Sequence, residues 1–340
     1  MHVAILGATG AVGRTMLQVL EERGLPVDRL TLLASPRSAG QRLRFRGRAW
    51  LVEPVTAEAF RGVDVALFSA GAERSRQWAA VAAAAGALVI DNSSAWRLDP
   101  DVPLVVPEVN AHALARIPRG IVANPNCVTV QLVVALAALR RVGRLLRVDV
   151  ASYQAASGAG EAGRAALRAE LRGERPAASP FPRPLAGNLF PQIGAFDPEG
   201  WTEEERKLQR ETQKILEDPV LAVTGTCVRV PVDVGHSVAA CATFAARVDP
   251  TAARAALAAQ PGLRFAAEPT AYPTPLDVAG RDEVFVGRLR ADPFDPARLH
   301  LWIVADNLRK GAATNAVQIL ETLWAQGRLR ARTAPESLPH

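Results

Sequence analysis

Near its start the sequence reads HVAILGATGAVG, residues 2–13. The first five residues form a continuous apolar run, which is typical of a strand buried in a parallel sheet. Glycines at 7, 10 and 13 then give a G-x-x-G-x-x-G turn, and the following pattern predicts an amphipathic helix to about Arg23. Such a unit binds dinucleotides, because glycines let the backbone approach the pyrophosphate and the helix N-terminus faces its charge. Unless this is an ordinary glycine-rich turn, the residues expected to contact a dinucleotide are Gly7, Thr9, Gly10, Ala11 and Val12.

The loop after the second predicted strand (residues 30–34) indicates which dinucleotide is bound. It reads SPRSAG, residues 35–40, where a fold that prefers NAD usually carries Asp or Glu for the ribose hydroxyl. Guanidinium groups bind phosphate well. We therefore expect Ser35, Arg37 and Ser38 to hold the 2′-phosphate of NADP, the alternative being a solvated polar loop.

Strands and helices alternate through the first third of the chain. The further strands are predicted at residues 64–68, 87–90, 104–106 and 121–123. This alternation is typical of a doubly wound, Rossmann-like parallel sheet, which binds ligands at the C-terminal ends of its strands. Arg97, in the loop at residues 91–97, is therefore either a candidate anion binder or a surface arginine.

The pattern changes after residue 127. Long strand-like runs appear at residues 145–154, 220–230, 237–248, 284–289 and 298–305, and few helices separate the last of them. This order predicts a second, α+β domain with a largely antiparallel sheet, so the fold class is α/β with an added α+β domain. A Pro-rich connection at 172–200 is a candidate subunit contact, and residues 308–329 predict a long helix followed by a polar tail.

The stretch NPNCVT, residues 124–129, joins a predicted strand to the apolar run 128–139, which predicts a helix. Cys127 is thus expected in the first turn of that helix. Unpaired N–H groups and the helix dipole stabilise an anion there, so the thiol is expected to lose its proton more easily than a free thiol and to act as a nucleophile. The alternative is a small apolar residue that closes the helix start.

Two residues further along could act with this thiol. Arg229 lies on the same side of its predicted strand as Cys227, among valines, where an unpaired charge is costly. It either pairs with an internal carboxylate or binds an anionic substrate. His236 lies in a glycine-containing turn between two strands, and its pKa range suits a general acid/base, although a structural turn histidine would give the same pattern.

The helix predicted from about residue 202 carries charges on the face that should pack inward. Glu204, Lys207 and Glu211 lie on the same side as Leu208 and Ile215. Buried charges indicate mutual pairing or a polar cavity. Upstream, a predicted strand ends at Gln154 and SGAG (residues 157–160) opens a helix, which is again a loop suited to ligand contacts.

Composition restricts the classes of partner. The net charge of +6 over 340 residues is spread along the chain, whereas a nucleic-acid-binding face needs a concentrated patch. Three cysteines without a C-x-x-C pair argue against a disulfide framework or a zinc site. The apolar runs are shorter than the roughly 20 residues of a membrane span, and no signal peptide is recognisable. We expect no metal, nucleic-acid or membrane partner, and a soluble cytoplasmic protein.

Taken together, these stretches resemble the aspartate-β-semialdehyde dehydrogenase family over nearly the whole chain. The most specific of them is DNLRKGAA, residues 306–313. Together the matching stretches lie at residues 7–13, 34–40, 91–97, 106–110, 124–127, 153–160, 188–193, 204–216, 228–237 and 306–318. The resemblance implies an NADP-binding domain formed by residues 1–126 and 308–340, a catalytic and dimerisation domain at 127–307, and a homodimer or homotetramer.

The resemblance also implies a reaction. Cys127 attacks the carbonyl of L-aspartate semialdehyde to give a thiohemiacetal, His236 takes and returns the proton, and Gln154 positions the intermediate. Hydride then passes to NADP and phosphate releases the thioester as β-aspartyl phosphate; biosynthesis of lysine, methionine and threonine uses the reverse direction. The other implied contacts are Arg229 to the substrate carboxylate, Glu204 to its amino group, Arg97 and Lys207 to phosphate, Asn126 to substrate, and Ser157, Gly158 and Asn307 to NADP(H).

Two positions depart from the family pattern. Val128 stands where Ser or Thr is usual, and Val238 stands where Glu usually follows Gly-His-Ser. A missing carboxylate near His236 could alter its pKa or the packing of the pocket. A non-catalytic relative is therefore one alternative, and a reductase of another acyl phosphate, such as N-acetylglutamyl phosphate, is a second. Glu204, which suits a free amine, counts against the latter.

Overall fold

The computed structural model describes residues 1–176 and 178–329, and the polar tail predicted beyond residue 329 lies outside that part of the chain. Two sheets organise these residues, one of seven strands and one of six. The chain completes the first sheet before it begins the second, and its last helix packs into the core of the first sheet.

The first sheet confirms the prediction of a Rossmann-like fold. Its strands are β1 (His2–Leu6), β2 (Arg29–Ala34), β3 (Arg42–Phe45), β4 (Arg48–Pro54), β5 (Val65–Phe68), β6 (Leu88–Asp91) and β7 (Ile121–Ala123). Their order is β3-β4-β2-β1-β5-β6-β7, and all neighbours are parallel except β3 and β4. The chain leaves β1 for β2 on one side and later adds β5 on the other, so the strand order reverses at β1, where such sheets have their ligand crevice.

The second sheet is mixed but mostly antiparallel, as predicted. Its strands are β8 (Leu145–Gln154), β9 (Ala222–Arg229), β10 (His236–Phe244), β11 (Leu263–Phe265), β12 (Val284–Ala291) and β13 (Arg298–Ala305). Their order is β11-β12-β13-β10-β8-β9, in which the pairs at the two edges are parallel and the three central pairs are antiparallel.

Helices cover these sheets. They are α1 (Ala11–Glu22), α2 (Ala72–Ala84), α3 (Pro107–Asn110), α4 (Cys127–Leu139), α5 (Gly160–Leu171), α6 (Glu203–Ile215), α7 (Pro250–Ala258), α8 (Pro275–Val278) and α9 (Thr314–Ala325). The helix α4 is central: it is apolar along its length, every residue after Cys127 except Ala137 is buried, and it packs on α6, β10 and β13. A helix that is hydrophobic all round belongs in a core, which is why α4 joins the two sheets.

The structure differs from the predicted elements at three places: one predicted strand is absent, one hairpin was not predicted, and one predicted helix is confirmed only over residues 314–325. Residues 104–106 form no strand; only Leu104 makes an isolated bridge to Ala123, because the following Pro107 begins α3. The hairpin of β3 and β4 was not predicted. The helix predicted at residues 308–329 instead begins with a π-helical turn, Arg309–Ala313, and α9 ends at Ala325.

Within the described residues, no helix is long and apolar enough to cross a membrane.

Candidate functional site

The glycine turn after β1 depends on two glycines. Gly7 has φ +87°, and a Cβ there would lie 2.3 Å from the carbonyl oxygen of Ser69 at the end of β5. A Cβ on Gly13 would lie 2.2 Å from the carbonyl oxygen of Gly7. Only glycine permits this close approach of α1 to both loops. The backbone N–H groups at the start of α1 are thereby turned towards the crevice, which suits a pyrophosphate.

A cavity of about 520 Å³ lies beside this turn. Six of the residues predicted to bind the cofactor line it: Gly7, Thr9, Gly10, Ser35, Arg37 and Ser38. Arg74, an exposed residue in the first turns of α2, lines it as well and was not predicted. Its lining in the described chain has two guanidinium groups and no carboxylate. Ala11 begins α1 and lies outside the cavity.

A second cavity, of about 360 Å³, begins where the first one ends, and Ser69 lines both. The other predicted residues, His236 and Ala11 excepted, meet on its wall. They are Val12, Arg97, Asn126, Cys127, Gln154, Ser157, Gly158, Glu204, Lys207, Arg229 and Asn307. The two sheets and α6 therefore bring together side chains that are up to 295 residues apart, from Val12 to Asn307. We call this space the central cavity.

Cys127 is the first residue of α4, as predicted, and Asn126 caps the helix by accepting the backbone N–H of Val128 at 2.9 Å. Gly311 packs directly on it, since a Cβ at 311 would lie 2.8 Å from the Cys127 Cβ. The prediction of an easily ionised thiol is wrong for this structure. Burial, followed by the negative charge of Glu204, raises the pKa of Cys127 to about 12, although two arginines act in the opposite direction.

A buried ionic network supports the start of α4. Glu211 accepts a hydrogen bond from Arg97 Nη1 at 3.0 Å and another from the backbone N–H of Asn126 at 2.6 Å. Arg97 also donates to the backbone carbonyls of Asn124 and Asn92, at 2.9 and 2.7 Å. Arg97 is thus held rigidly and keeps part of its five donors for a ligand.

Glu204 lies at the opposite end of this network. Its carboxylate accepts from Asn126 Nδ2 at 2.7 Å and lies 3.7 Å from Lys207 Nζ. Glu204 and Lys207, two of the inward charges predicted on α6, therefore pair with each other and also line a polar cavity. Glu205 is also buried; it forms the capping box of α6 with Thr202, and it accepts from Cys227 N–H and so attaches α6 to β9.

Arg229 is buried at the end of β9 without a carboxylate partner among the described residues. Its Nη1 donates to the carbonyl of Ala155 at 2.6 Å, and its guanidinium carbon lies 5.7 Å from the centre of the Phe181 ring. A buried cation held only by a carbonyl and an aromatic face retains donors for an anion. Of the two possibilities that the sequence left open, the structure favours the anionic ligand.

His236 begins β10 and lies behind Gly158, where an added Cβ would be 3.2 Å from its Nε2 and 2.6 Å from Arg229 Nη1. Its Nδ1 accepts the backbone N–H of Ala155 at 3.0 Å, so the hydrogen of the neutral ring is on Nε2. That Nε2 has no partner in the part of the chain described. Burial and the nearby Arg229 hold the pKa of His236 well below 6.5, so the ring is neutral.

The remaining predicted residues frame the cavity. Gln154 Nε2 donates to Ser152 Oγ at 3.3 Å. Asn307 accepts the Gly235 N–H at 2.9 Å and is hydrogen-bonded to Ser157. Val128 and Val238, the two departures from the family pattern, are both packed in the apolar core. Val238 therefore adds no charge of its own near His236.

Several residues that shape the cavity were not predicted as site residues. Glu211 was noted only as an inward charge, and Arg74, Asn92 and Gly311 were not singled out. For Arg74 and Asn92 a signal existed, because both follow the C-terminal ends of predicted strands. Gly311 lies in the most specific stretch of the resemblance, but no local pattern indicated its contact with Cys127, which joins positions 184 residues apart in the chain.

Two comparisons agree with this arrangement. A family model described as "Semialdehyde dehydrogenase, NAD binding domain" matches residues 2–117, and "Semialdehyde dehydrogenase, dimerisation domain" matches residues 136–310. The chain is 48% identical to the aspartate-semialdehyde dehydrogenase of Aquifex aeolicus over 335 residues, which cover 96% of this chain and 98% of that protein. It is 44% identical to the Bacillus subtilis protein of the same name, covering 95% and 97% of the two chains.

The solved structures agree as well. The crystal structure of aspartate semialdehyde dehydrogenase II of Vibrio cholerae complexed with ASA superposes with a TM-score of 0.93 and 47% identity, and covers 95% of this chain and 98% of that chain. The similarity therefore extends over both sheets and over the cavity between them.

Proposed function

Since the chain belongs to the aspartate-semialdehyde dehydrogenase family, we propose that it reduces L-β-aspartyl phosphate to L-aspartate 4-semialdehyde, with release of phosphate. The observation that supports this most is the central cavity itself. One cysteine at a helix N-terminus faces two arginines, a lysine and a glutamate there, next to a dinucleotide-type glycine turn. In the proposed direction the product serves lysine, methionine and threonine biosynthesis.

The thiol of Cys127 is the proposed nucleophile. It displaces phosphate from the acyl phosphate and forms a thioester; NADPH, held by the glycine turn, would supply the hydride for the reduction of this thioester. The resulting thiohemiacetal breaks its C–S bond, which returns the sulfur and releases the aldehyde. Because the thiol has a pKa of about 12, the ammonium group of the incoming substrate, paired with Glu204, must help to offset the negative charge of that carboxylate.

Substrate recognition follows from the charges around the cysteine. Arg229 is proposed to bind the α-carboxylate and Glu204 the amino group, with Asn126 and Gln154 beside the reacting carbon. A buried carboxylate at Glu204 favours a free ammonium over an acetylated amine, because an amide would leave that charge unpaired. This argues against an N-acetylated substrate.

His236 is proposed to donate from Nε2 to the oxygen that gains charge when the thioester is reduced. Taking up a further proton would put a hydrogen on Nδ1, where the Ala155 N–H already donates. The acid–base role expected from the resemblance therefore requires the ring to leave this position, whereas hydrogen-bond donation does not.

NADP is the proposed dinucleotide. The residues that would hold it are the glycine turn, Ser35, Arg37, Ser38 and the unpredicted Arg74. A cavity with two guanidinium groups and no lining carboxylate among the described residues suits a 2′-phosphate and offers no acceptor of the kind that NAD-preferring folds use for the ribose hydroxyl.

A homodimer is proposed as well, or a homotetramer built from it. The second sheet covers α4 with one face, while its other face carries half-buried apolar side chains, among them Ala151, Tyr153, Ala239 and Trp302. The family model that matches this region is that of a dimerisation domain.

The experiment is a spectrophotometric assay of the purified protein in the reverse direction. We expect NADP reduction with L-aspartate semialdehyde that requires phosphate and is lost in Cys127→Ala. Turnover no higher than that of Cys127→Ala would contradict the proposal and favour a non-catalytic relative. Turnover only with another semialdehyde would favour the reductase of another acyl phosphate.

A further inference from the structure

The side-chain amide of Asn92 has no hydrogen-bond partner among the described residues. It follows β6, and its backbone is held at both ends: its N–H donates to the carbonyl of Phe68 at 2.9 Å, and its carbonyl accepts from Arg97 at 2.7 Å. Its side-chain oxygen and nitrogen, in contrast, are both shielded from solvent and have no hydrogen-bond partner within residues 1–176 and 178–329. Buried amides are nearly always hydrogen-bonded, so this one is a candidate for a partner from outside the chain.

The other amide side chains on the wall of the central cavity are already engaged. Asn124, Asn126 and Asn307 each use both the oxygen and the nitrogen of the amide in hydrogen bonds to other parts of the chain. Gln154 donates to a serine hydroxyl. Asn92 is thus the cavity amide that has both a donor and an acceptor free in the described structure.

The sheet order tells where a ligand group would meet it. Along the edge of C-terminal strand ends, β1, β5, β6 and β7 are neighbours. The loops that follow them carry, in the same order, Gly7, Ser69, Asn92 and Asn124, and Cys127 comes directly after. A dinucleotide whose pyrophosphate rests on the Gly7 turn must extend along this edge to bring its reactive ring to Cys127. Asn92 therefore lies between the two ends of that path.

The free acceptor and donor of the Asn92 side chain indicate the chemical class of its partner. A carboxamide offers one acceptor and one donor side by side, which matches the free Nδ2 and Oδ1 of Asn92. A phosphate dianion offers only acceptors and would leave Oδ1 unpaired. We propose that Asn92 binds the carboxamide of the nicotinamide ring and so positions the ring for hydride transfer at Cys127. This inference rests on the proposed NADP-dependent function.

The test is a set of dissociation constants, measured by calorimetry on the intact protein. The ligands are NADP, its 3-acetylpyridine analogue, which lacks the amide N–H, its thionicotinamide analogue, whose sulfur accepts weakly, and 2′-phospho-ADP-ribose, which lacks the ring. We expect the wild type to bind NADP about tenfold more tightly than the 3-acetylpyridine analogue. A Kd ratio of this size corresponds to the loss of one hydrogen bond in a site without water.

Two variants test whether the side chain of Asn92 causes this difference in Kd. In Asn92→Ala, Kd for NADP and for the acetylpyridine analogue should agree within about twofold, while Kd for 2′-phospho-ADP-ribose stays as in the wild type. Asn92→Asp keeps an acceptor but loses the donor. It should therefore still prefer NADP over the acetylpyridine analogue, but should no longer prefer NADP over the thionicotinamide analogue.

Three results would overturn the inference. These are a wild-type ratio that persists in Asn92→Ala, binding of 2′-phospho-ADP-ribose that weakens in parallel with that of NADP, and a change confined to KM for phosphate. If Asn92→Ala does not fold, the two ratios of Asn92→Asp decide. Failure of the wild type to bind NADP at all would instead contradict the proposed cofactor, and hence the proposed function.

Discussion

At the scale of single residues, Cys127 shows two opposing effects. A helix N-terminus stabilises an anion by about 1 kcal/mol, which lowers a thiol pKa by less than about one. Burial of the sulfur beside the carboxylate of Glu204 acts in the other direction and prevails, because water no longer solvates the thiolate. The thiol of Cys127, the proposed nucleophile, is therefore held in its protonated form in this structure.

This state predicts a pH dependence of alkylation. Below the pKa of about 12, the thiolate fraction increases tenfold with each pH unit. We expect the rate at which iodoacetamide modifies Cys127 to rise about tenfold per unit from pH 7 to pH 9, measured by mass spectrometry. Cys127→Ser serves as the control for reaction at Cys227 and Cys241. A plateau of the rate near pH 8 would show that the helix N-terminus prevails after all.

The position of Arg37 in the cofactor cavity predicts a preference for NADP over NAD. Removing a charge-assisted hydrogen bond to phosphate costs about 1.5–3 kcal/mol, so Arg37→Ala should raise KM for NADP by roughly 10- to 100-fold and leave KM for NAD nearly unchanged. Arg76→Ala is the matched control, because Arg76 is equally exposed on α2 and does not line the cofactor cavity. An unchanged ratio of the two KM values in Arg37→Ala would refute our interpretation of this loop.

At the scale of elements, the segment from Asp306 to Ala313 connects the two sheets. Arg309 pairs with Glu22 of α1 and with Asp282, which precedes β12. Lys310 is completely buried and donates to both oxygens of Glu108 in α3, at 2.8 and 2.7 Å. Breaking a buried pair of this kind is strongly destabilising. The same π-helical turn brings Gly311 against Cys127.

Gly311→Ala is the sharpest probe of this turn. The new methyl group would meet the Cys127 Cβ at 2.8 Å and the Cys127 Cα at 3.2 Å. We expect kcat to fall at least about tenfold and unfolding by urea to report a loss of about 1–3 kcal/mol, because the sulfur must move.

Gly173→Ala is the control for this substitution. Gly173 has φ +75° and open space around its Cβ position, so the change should cost about 1–2 kcal/mol of stability through backbone strain and leave kcat unchanged. A wild-type kcat in Gly311→Ala would mean that the position of Cys127 tolerates displacement, contrary to this account.

At the scale of the whole molecule, the two sheets meet at the central cavity. The first sheet and α1 present the cofactor turn, the second sheet presents Arg229 and His236, and α4 begins between them with Cys127. The last helix, α9, shares its core with β1, since Val317 and Ile319 pack in the same cluster as Val3 and Ile5. The division into residues 1–126 with 308–340 and residues 127–307 stays a prediction.

The outer face of the second sheet predicts the oligomeric state. We expect sedimentation equilibrium to report twice the chain mass of 36.2 kDa for the wild type. Ala239 lies near the centre of this face, opposite Ala151 and Trp302, so Ala239→Arg should give the mass of a single chain. Leu51→Arg, which changes an exposed leucine of the first sheet, should leave the dimer intact. A dimer that persists in Ala239→Arg would exclude this face.

Local patterns in the sequence determined the elements and most of the residues of the site. The glycine turn, the helix that begins at Cys127 and the inward charges of α6 each depend on neighbours within a few positions, and there the prediction was confirmed. Residues such as Arg37 or Glu204 are recognisable for the same reason, because a charge that lies beside a glycine turn or on an apolar helix face is unusual in any fold.

Only the tertiary structure decided the chemical state of those residues. The pKa of Cys127, the hydrogen on Nε2 of His236 and the free amide of Asn92 depend on atoms that arrive from distant parts of the chain. Burial and hydrogen-bond partners are properties of the packed interior, where a charge loses its water and a polar group keeps only the neighbours that the fold supplies. The sequence alone therefore points to the proposed nucleophile, and the fold sets how readily its thiol ionises.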